Sequence, residues 1–270
     1  MGAMTWGEGF SRTADGLAVP HVPVGPFCVM DATRADFVEH VVALCCDPES
    51  AGPVLTYALH VGGLNARNDA AFVEAMSRAA VVYADGGSVV WLARLAGAQV
   101  IERAPTTDVG WDVLRGLATA LGRSPRLALV GGPEGLADRA ARVLEEGAPV
   151  QVVLTDHGYH QDWSTTLASL RRAAPDVVLV GFGAPGEMIW CERHREVLPA
   201  ALVMTVGGWF GHLVGDERRA PRILRRSGVE WIARFAQSPR RLGPRYARGL
   251  YSSAVMSVPT WRRRTKAEHG

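Results

Sequence analysis

Short apolar, β-branched runs alternate with helical segments from about residue 53 onward. Runs such as residues 177–181 are apolar at every position, which is typical of parallel strands covered on both faces. The chain is therefore predicted to fold as α/β, with a Rossmann-like, mostly parallel sheet. The predicted strands are residues 54–59, 81–84, 99–102, 126–130, 150–154, 176–181 and 201–206. The predicted helices are residues 69–78, 88–95, 109–121, 133–144, 163–173 and 186–197.

The polar stretch at residues 122–125 divides this pattern into two halves. We predict an N-terminal half at residues 1–124, a second half at residues 125–228 and an Arg-rich helical C-terminal appendage at residues 229–270. The N-terminus lacks a basic segment followed by an apolar one, and no apolar run is long enough to cross a bilayer. These features predict a cytoplasmic protein.

Basic residues are concentrated near one end of the chain. Between Arg218 and Arg248 there are ten arginines and one acid, whereas the formal charge of the whole chain is only +2. Lys266 is the sole lysine, and a guanidinium grips phosphate bidentately where an ammonium acts as a point charge. The run predicts a phosphate-rich partner such as a nucleotide, a pyrophosphate lipid or an anionic membrane. A solvated basic face is the plain alternative.

Glycine clusters follow four of the predicted strands. In open parallel sheets, ligands bind beyond the carboxyl ends of the strands, and glycine lets backbone amides approach them closely. No cluster matches the dinucleotide fingerprint or a P-loop, but the four together predict a nucleotide-type ligand. The clusters are Asp85-Gly86-Gly87, Gly131-Gly132-Pro133, Gly181-Phe182-Gly183-Ala184-Pro185 and Gly207-Gly208.

Two charged residues near these strand ends are candidates for catalysis. Asp85 directly follows a strand and could act as a general base toward a substrate hydroxyl, or it could merely cap the next helix. Arg103 could stabilise a leaving phosphate, or it could pair with a neighbouring acid at the surface. Because no spacing typical of metal ligands occurs, neither a metal site nor a cofactor is predicted.

In its motifs the chain resembles the WecG/TagA/CpsF family of bacterial glycosyltransferases over about residues 24–250. The matching pieces are Ala84-Asp85-Gly86, Arg103, Thr107-Asp108, Leu129-Val130-Gly131-Gly132, His157-Gly158-Tyr159, Gly183-Ala184-Pro185, Trp190, Val206-Gly207-Gly208, Arg219-Ala220-Pro221, Gly228-Val229-Glu230-Trp231, Arg234, Pro239-Arg240-Arg241 and Arg245-Tyr246.

This resemblance implies an inverting, metal-independent transferase that moves a sugar from a UDP-sugar onto a polyprenyl-diphosphate-linked saccharide at the inner membrane face. It implies that Asp85 is the base and that the first half of the chain holds the acceptor site, while the second half binds the nucleotide sugar. It also implies that the appendage completes the site and contacts the membrane. The residues expected to bind substrate are Thr107, Asp108, Gly131, Gly132, His157, Tyr159, Gly183, Pro185, Gly207, Gly208, Arg219 and Arg222.

The chain departs from the family pattern at two places that contact substrate. Where the family has Thr-x-Asn, this chain has Tyr57-Ala58-Leu59 followed by His60, so either His60 or Asn65 is expected to substitute. Glu187 stands where the family carries an amide. We therefore expect the reaction type to be retained and the donor sugar or the acceptor to have changed. The acceptor would be a lipid-linked saccharide or a specialised metabolite.

Other readings remain open at this point. The missing family residues also fit a catalytically altered relative that acts as a binding or scaffold partner. A soluble acceptor in place of a lipid is a third reading, and self-association into a homo-oligomer fits the family. A nucleic-acid-binding module is disfavoured because the basic run lacks a set of stacking aromatics. Apolar and arginine side chains around Trp231 and Phe235 indicate peripheral membrane contact, or Trp231 and Phe235 simply pack on the core.

Overall fold

The computed structural model describes residues 11–12, 18–48 and 52–216. The predicted appendage and the whole Arg-rich run from Arg218 to Arg248, with Arg219 and Arg222, lie outside the described residues. What the sequence predicts for them therefore stays a prediction.

The strands are β1 (Ser11–Arg12), β2 (Ala18–Val19), β3 (His21–Val24), β4 (Phe27–Met30), β5 (Val54–Leu59), β6 (Val81–Ala84), β7 (Arg126–Gly131), β8 (Gln151–Asp156), β9 (Val177–Gly181) and β10 (Leu202–Thr205). The helices are α1 (Arg34–Cys46), α2 (Val61–Asn65), α3 (Ala70–Ser77), α4 (Gly87–Leu95), α5 (Thr106–Leu121), α6 (Leu136–Gly147), α7 (Ser164–Ala173), α8 (Gly186–Arg193) and α9 (Trp209–Leu213). A short 3-10 helix spans Arg195–Val197.

Six of these strands form one parallel sheet in the order β6-β5-β10-β9-β7-β8. This arrangement confirms the predicted α/β, Rossmann-like class. Strand β10 pairs with β5 on one side and with β9 on the other, so both halves of the sequence contribute to a single sheet. Outside it, β1 pairs with β2 and β3 pairs with β4, each antiparallel.

The sheet is covered on both faces, as the continuous apolar runs predict. In β9, Val177 and Leu179 belong to the core on one face, whereas Val178 and Val180 belong to the core on the other. Helices α1, α5 and α6 supply the first core, and α3, α4 and α8 supply the second. Because the six strands are parallel, their carboxyl ends lie at one edge of the sheet, and burial of both faces leaves this edge as the place where a ligand can reach them.

One predicted strand is absent. Residues 99–102 form no strand, because the Asp31 carboxylate accepts hydrogen bonds from the backbone N–H groups of Gln99 and Val100, at 2.7 and 3.1 Å. Helix α1, in contrast, lies in a part of the chain for which no element was predicted. It begins with a capping box in which the Thr33 hydroxyl and the Asp36 carboxylate each accept the other residue's backbone N–H.

A buried histidine on α1 gives a first testable expectation. His40 is 2% exposed, and neither of its ring nitrogens has a hydrogen-bond partner within the described chain. Burial, reinforced by nearby His21, lowers the pKa of His40. The unfolded chain therefore takes up the His40 proton more readily than the folded one. The free energy of unfolding is unaffected by this group above the ordinary histidine pKa and decreases as the pH falls below it.

Replacing His40 by Leu removes two unsatisfied polar atoms from the core. We expect the free energy of unfolding to rise by about 1–2 kcal/mol at pH 8. The variant should also lose less stability than the parent between pH 7 and pH 5. Urea unfolding at the two pH values measures both effects, and a parallel fall in the two proteins would contradict the assignment.

No helix in the described part of the chain is both long and apolar enough to cross a membrane.

Candidate functional site

The candidate site lies at the carboxyl edge of the parallel sheet, where four strands end in the glycine clusters singled out in the sequence. Three of these strand ends pack backbone against backbone. A Cβ added to Gly131 would lie 2.4 Å from the carbonyl oxygen of Gly181, and one added to Gly181 would lie 3.0 Å from that of Gly207. Gly131 also has a φ of +154°, which side chains rarely adopt. These glycines therefore form a bare backbone floor.

Asp85 stands beside this floor, in the loop after β6. Its N–H donates to the carbonyl of Leu59 at 3.0 Å, which ties the loop to the end of β5. Carboxylate oxygen Oδ1 accepts the backbone N–H of Thr106 at 2.7 Å, while Nε of Arg103 donates to the backbone carbonyl of Asp85 at 3.0 Å. The structure thus brings together the two predicted catalytic residues, Asp85 and Arg103.

Asp85 caps a helix, as one of the two predictions for it states, but the helix is α5 and not the next helix, α4. The following helix, α4, begins after Gly86 without a side-chain cap. Asp85 instead caps α5, which is preceded by Pro105 and receives no cap from that residue. Since only Oδ1 is used, the other carboxylate oxygen accepts no hydrogen bond from any described residue.

Thr106 is a site residue that the sequence reasoning missed. Besides its backbone contact with Asp85, its buried hydroxyl lies 2.7 Å from the hydroxyl of buried Tyr83. Burial and then the charge of Asp85 raise the pKa of Tyr83. The sequence pointed to Thr107 and Asp108, which lie beside Thr106 in the first turn of α5. Pro105 was the available signal, because a helix that starts after proline needs a cap from elsewhere in the chain.

His60 lies next to the Asp85 loop. It begins α2, where its Nδ1 accepts the N–H of Gly62 at 2.9 Å. A Cβ added to Gly86 would lie 3.3 Å from the Cα of His60, so these two loops are in direct contact. Asn65, the other candidate substitute, is the last residue of α2. The contact with Gly86 therefore favours His60 as the neighbour of the proposed base.

Glu187 is an acidic residue of the site whose side chain is buried. It is 1% exposed, and its Oε2 accepts backbone N–H groups from Phe182, Gly183 and Gly207 at 3.2, 2.9 and 3.1 Å. These donors come from the loops after β9 and β10, so one carboxylate oxygen joins two strand ends. Burial raises the pKa of Glu187 to about 7, against the lowering effect of the three hydrogen bonds. The charge of Asp85 adds to the rise, so the two carboxyl groups are neighbours.

The glycine amides do not have the geometry expected of phosphate donors. The N–H of Gly132 donates to the carbonyl of Gly181 at 3.0 Å, and that of Gly207 donates to Glu187. Both hydrogens are already used within the protein, so these residues shape the floor rather than offer free amides. Gly183 likewise gives its N–H to Glu187, and Gly208 and Pro185 are the N-cap residues of helices α9 and α8.

A histidine cluster flanks the floor at the end of β8. The carboxylate of Asp156 accepts the His157 backbone N–H and contacts Nε2 of His160, each at 2.8 Å, and accepts the Thr166 hydroxyl at 2.5 Å. The His157 and His160 rings stack at 3.8 Å. Although burial opposes ionisation, these hydrogen bonds hold the pKa of Asp156 below its ordinary value.

The same three residues could hold a metal ion, which the sequence analysis did not anticipate. One ligand atom from each of Asp156, His157 and His160 lies within 4.8 Å of the others. Because both oxygens of Asp156 already accept hydrogen bonds, the cluster is a closed network rather than an open coordination set. Gly158 links it to the floor by donating to the carbonyl of Gly132 at 2.8 Å, and Tyr159 beside it is 75% exposed.

An open parallel sheet with a carboxylate and a guanidinium at its carboxyl edge has the architecture of enzymes that act on nucleotide-type ligands. The family model of the glycosyl transferase WecG/TagA/CpsF family matches residues 23–267, and the chain belongs to this family. The chain is also similar to the N-acetylglucosaminyldiphosphoundecaprenol N-acetyl-beta-D-mannosaminyltransferase of Bacillus spizizenii (strain ATCC 23059 / NRRL B-14472 / W23). The two are 23% identical over 236 residues, which cover 87% of this chain and 90% of that protein.

Proposed function

We propose that this glycosyltransferase moves a sugar, an N-acetylhexosamine or a related hexose, from a UDP-sugar to an acceptor hydroxyl, with inversion and without a metal ion. Asp85 removes the proton of the hydroxyl as the oxygen attacks the anomeric carbon from the face opposite the nucleotide. The observation that carries the proposal is the Asp85 carboxylate at the sheet edge, where one oxygen accepts the Thr106 N–H and the other accepts no hydrogen bond from a described residue.

Arg103 is the proposed counter-charge for the departing diphosphate. Its guanidinium is anchored beside the base through the Asp85 carbonyl, so a positive charge lies within the same loop pair. A cation already in place stabilises the negative charge that develops on the leaving diphosphate. In other enzymes a bound metal ion supplies this positive charge. Arg219 and Arg222, outside the described residues, are proposed to add to it. The amides of Gly132 and Gly207 are left out of this role because both are engaged.

The proposed acceptor is a polyprenyl-diphosphate-linked saccharide. Support comes from the Bacillus relative, whose name specifies an N-acetylglucosaminyl diphosphoundecaprenol acceptor. The arginine-rich end of the chain, with its ten arginines between Arg218 and Arg248, is suited to diphosphate and to an anionic leaflet. Glu187 and His60 stand where the family pattern carries other residues, and this departure supports a donor or an acceptor different from the usual ones of the family.

A turnover assay tests the proposal. The purified full-length protein is incubated with UDP-N-acetylmannosamine, UDP-N-acetylglucosamine or UDP-glucose and a short-chain polyprenyl-diphosphate saccharide, and the product is identified by mass spectrometry. We expect transfer with one donor, an inverted anomeric linkage by NMR, and no loss of rate in EDTA. A rate abolished by EDTA would contradict metal independence and would direct attention to Asp156, His157 and His160.

Two further outcomes are informative. Rapid transfer of N-acetylmannosamine to lipid-linked N-acetylglucosamine would refute a changed substrate. Binding of a UDP-sugar without any transfer would favour the alternative of an altered relative that serves as a binding partner.

A further inference from the structure

Glu187 has two carboxylate oxygens with very different surroundings. Oε2 accepts three backbone N–H groups from the loops after β9 and β10. Oε1 accepts no hydrogen bond from any residue in the described chain, and it lies 4.0 Å from the position of a Cβ built on Gly207. Oε2 therefore joins the two loops, whereas Oε1 lies near Gly207 at the floor of the site without a described hydrogen-bond partner.

The neighbours of Glu187 do not favour its ionised form. The titratable groups whose charges interact with its carboxyl include Asp85 in the loop after β6, Tyr83 on β6 and Cys191 on α8, while the nearby cation Arg103 donates to the backbone carbonyl of Asp85. None of the first three groups is a cation, and no described Arg or Lys forms an ion pair with Glu187. Ionisation would place a second negative charge near Asp85, on a carboxyl group that is itself buried. Burial accordingly raises the pKa of Glu187 to about 7.

Protonation at Oε1 leaves the three backbone contacts in place, because Oε2 then acts as a carbonyl acceptor. The group becomes the chemical equivalent of an amide, with one atom that accepts and one that donates. In the ionised state both oxygens only accept, and a phosphate or carbonyl oxygen brought near Oε1 would be repelled or left without a donor.

We propose that Glu187 is a specificity-determining residue that binds the donor substrate in its protonated form, with Oε1–H donating to an acceptor oxygen of the sugar nucleotide. This inference rests on the proposed use of a UDP-sugar. The acceptor oxygen belongs either to the diphosphate or to an acetamido carbonyl. Substrate binding therefore requires a proton that the free site loses near neutral pH.

The test is the affinity for UDP-N-acetylglucosamine, measured by calorimetry between pH 5.5 and pH 8.5. Neither its diphosphate diester nor its sugar titrates in this range. If only the neutral form binds, the apparent Kd of the parent protein rises about 30-fold from the lowest to the highest pH. Glu187→Gln, which keeps the acceptor for the three N–H groups and carries a permanent donor, should bind with a Kd that varies little with pH.

Two comparisons sharpen this experiment. Glu146→Gln removes an exposed carboxylate on α6 and should retain the 30-fold dependence of the parent. UDP-glucose lacks the acetamido group, so a pH dependence that persists with it assigns the acceptor oxygen to the diphosphate. A dependence seen only with UDP-N-acetylglucosamine assigns the acceptor to the acetamido carbonyl.

A second measurement needs no variant. Calorimetry of the parent protein in two buffers of different ionisation enthalpy, at pH 8, should show uptake of close to one proton for each UDP-N-acetylglucosamine bound. A pH-independent Kd without proton uptake, or weak binding by Glu187→Gln at every pH, would overturn the role of Glu187 and leave the proposed function standing. Absence of binding of UDP-N-acetylglucosamine, UDP-N-acetylmannosamine and UDP-glucose alike, by parent and variant at every pH, would overturn the proposed function itself.

Discussion

Replacing Asp85 by Asn is expected to lower the rate of sugar transfer by about 100-fold to 10,000-fold, the range that a positioned general base contributes. The amide cannot take up the proton of the acceptor hydroxyl. It can still accept the backbone N–H of Thr106 through Oδ1, so the cap on α5 is retained. Affinity for the donor should change little. Asp85→Asn is therefore a cleaner variant than Asp85→Ala, which would also remove the cap at a cost of about 1 kcal/mol.

The experiment compares kcat with the Kd for the donor in the same preparation. Asp112→Asn is the matched control, because Asp112 is an exposed carboxylate on α5 whose partners at the surface are Arg34 and Arg115. Its kcat should equal that of the parent. Normal turnover by Asp85→Asn would remove Asp85 from the role of base, and a large loss of donor affinity would indicate a binding role instead.

Replacing Glu187 by Gln is expected to make the folded protein less sensitive to alkaline pH. The folded state holds the Glu187 proton up to about pH 7, whereas the ordinary pKa of 4.5 applies to the unfolded chain. The stability that Glu187 contributes to the folded protein is thus fully present below pH 4.5 and is lost as the pH rises from there to about 7. The glutamine variant has no proton to lose. Its advantage over the parent in free energy of unfolding should grow by about 2–3 kcal/mol between pH 5 and pH 8.

Urea denaturation of both proteins at the two pH values measures this difference without any substrate. Glu146→Gln serves again as the control. Because residue 146 is exposed, the free energies of unfolding of this variant and the parent should differ by the same amount at both pH values. An advantage of Glu187→Gln that does not change with pH would mean that the carboxyl titrates alike in the folded and unfolded chain. The stability measurement thus tests the protonation of Glu187 separately from its proposed contact with substrate.

The layered fold could be predicted because it depends on local patterns. Residues 177–181 are apolar at every position, and only a strand buried on both faces accommodates such a run. The glycines after β7, β9 and β10 were likewise visible, since a strand that ends in glycine is a local feature of the sequence. Asp85 could be singled out for the same reason, as a carboxylate that directly follows a strand.

The predictions were wrong where a distant residue decides the local structure. Residues 99–102 look like a strand, but the Asp31 carboxylate takes two of their backbone N–H groups. The backbone N–H groups of Gly132 and Gly207 likewise donate to a carbonyl and a carboxylate of other segments, which the glycine pattern does not show. Such contacts join positions far apart in the chain, and no local pattern records them.

The sequence by itself determined the class of fold, the family resemblance and the choice of Asp85 and Arg103, because each depends on residue types at short spacing. Only the tertiary structure decided that Asp85 caps α5 through Thr106 and that Glu187 bridges the ends of β9 and β10 beside it. The physical reason is that hydrogen-bond partners and burial set the state of a carboxyl group, and both arise only when separate strands meet at one edge of the sheet.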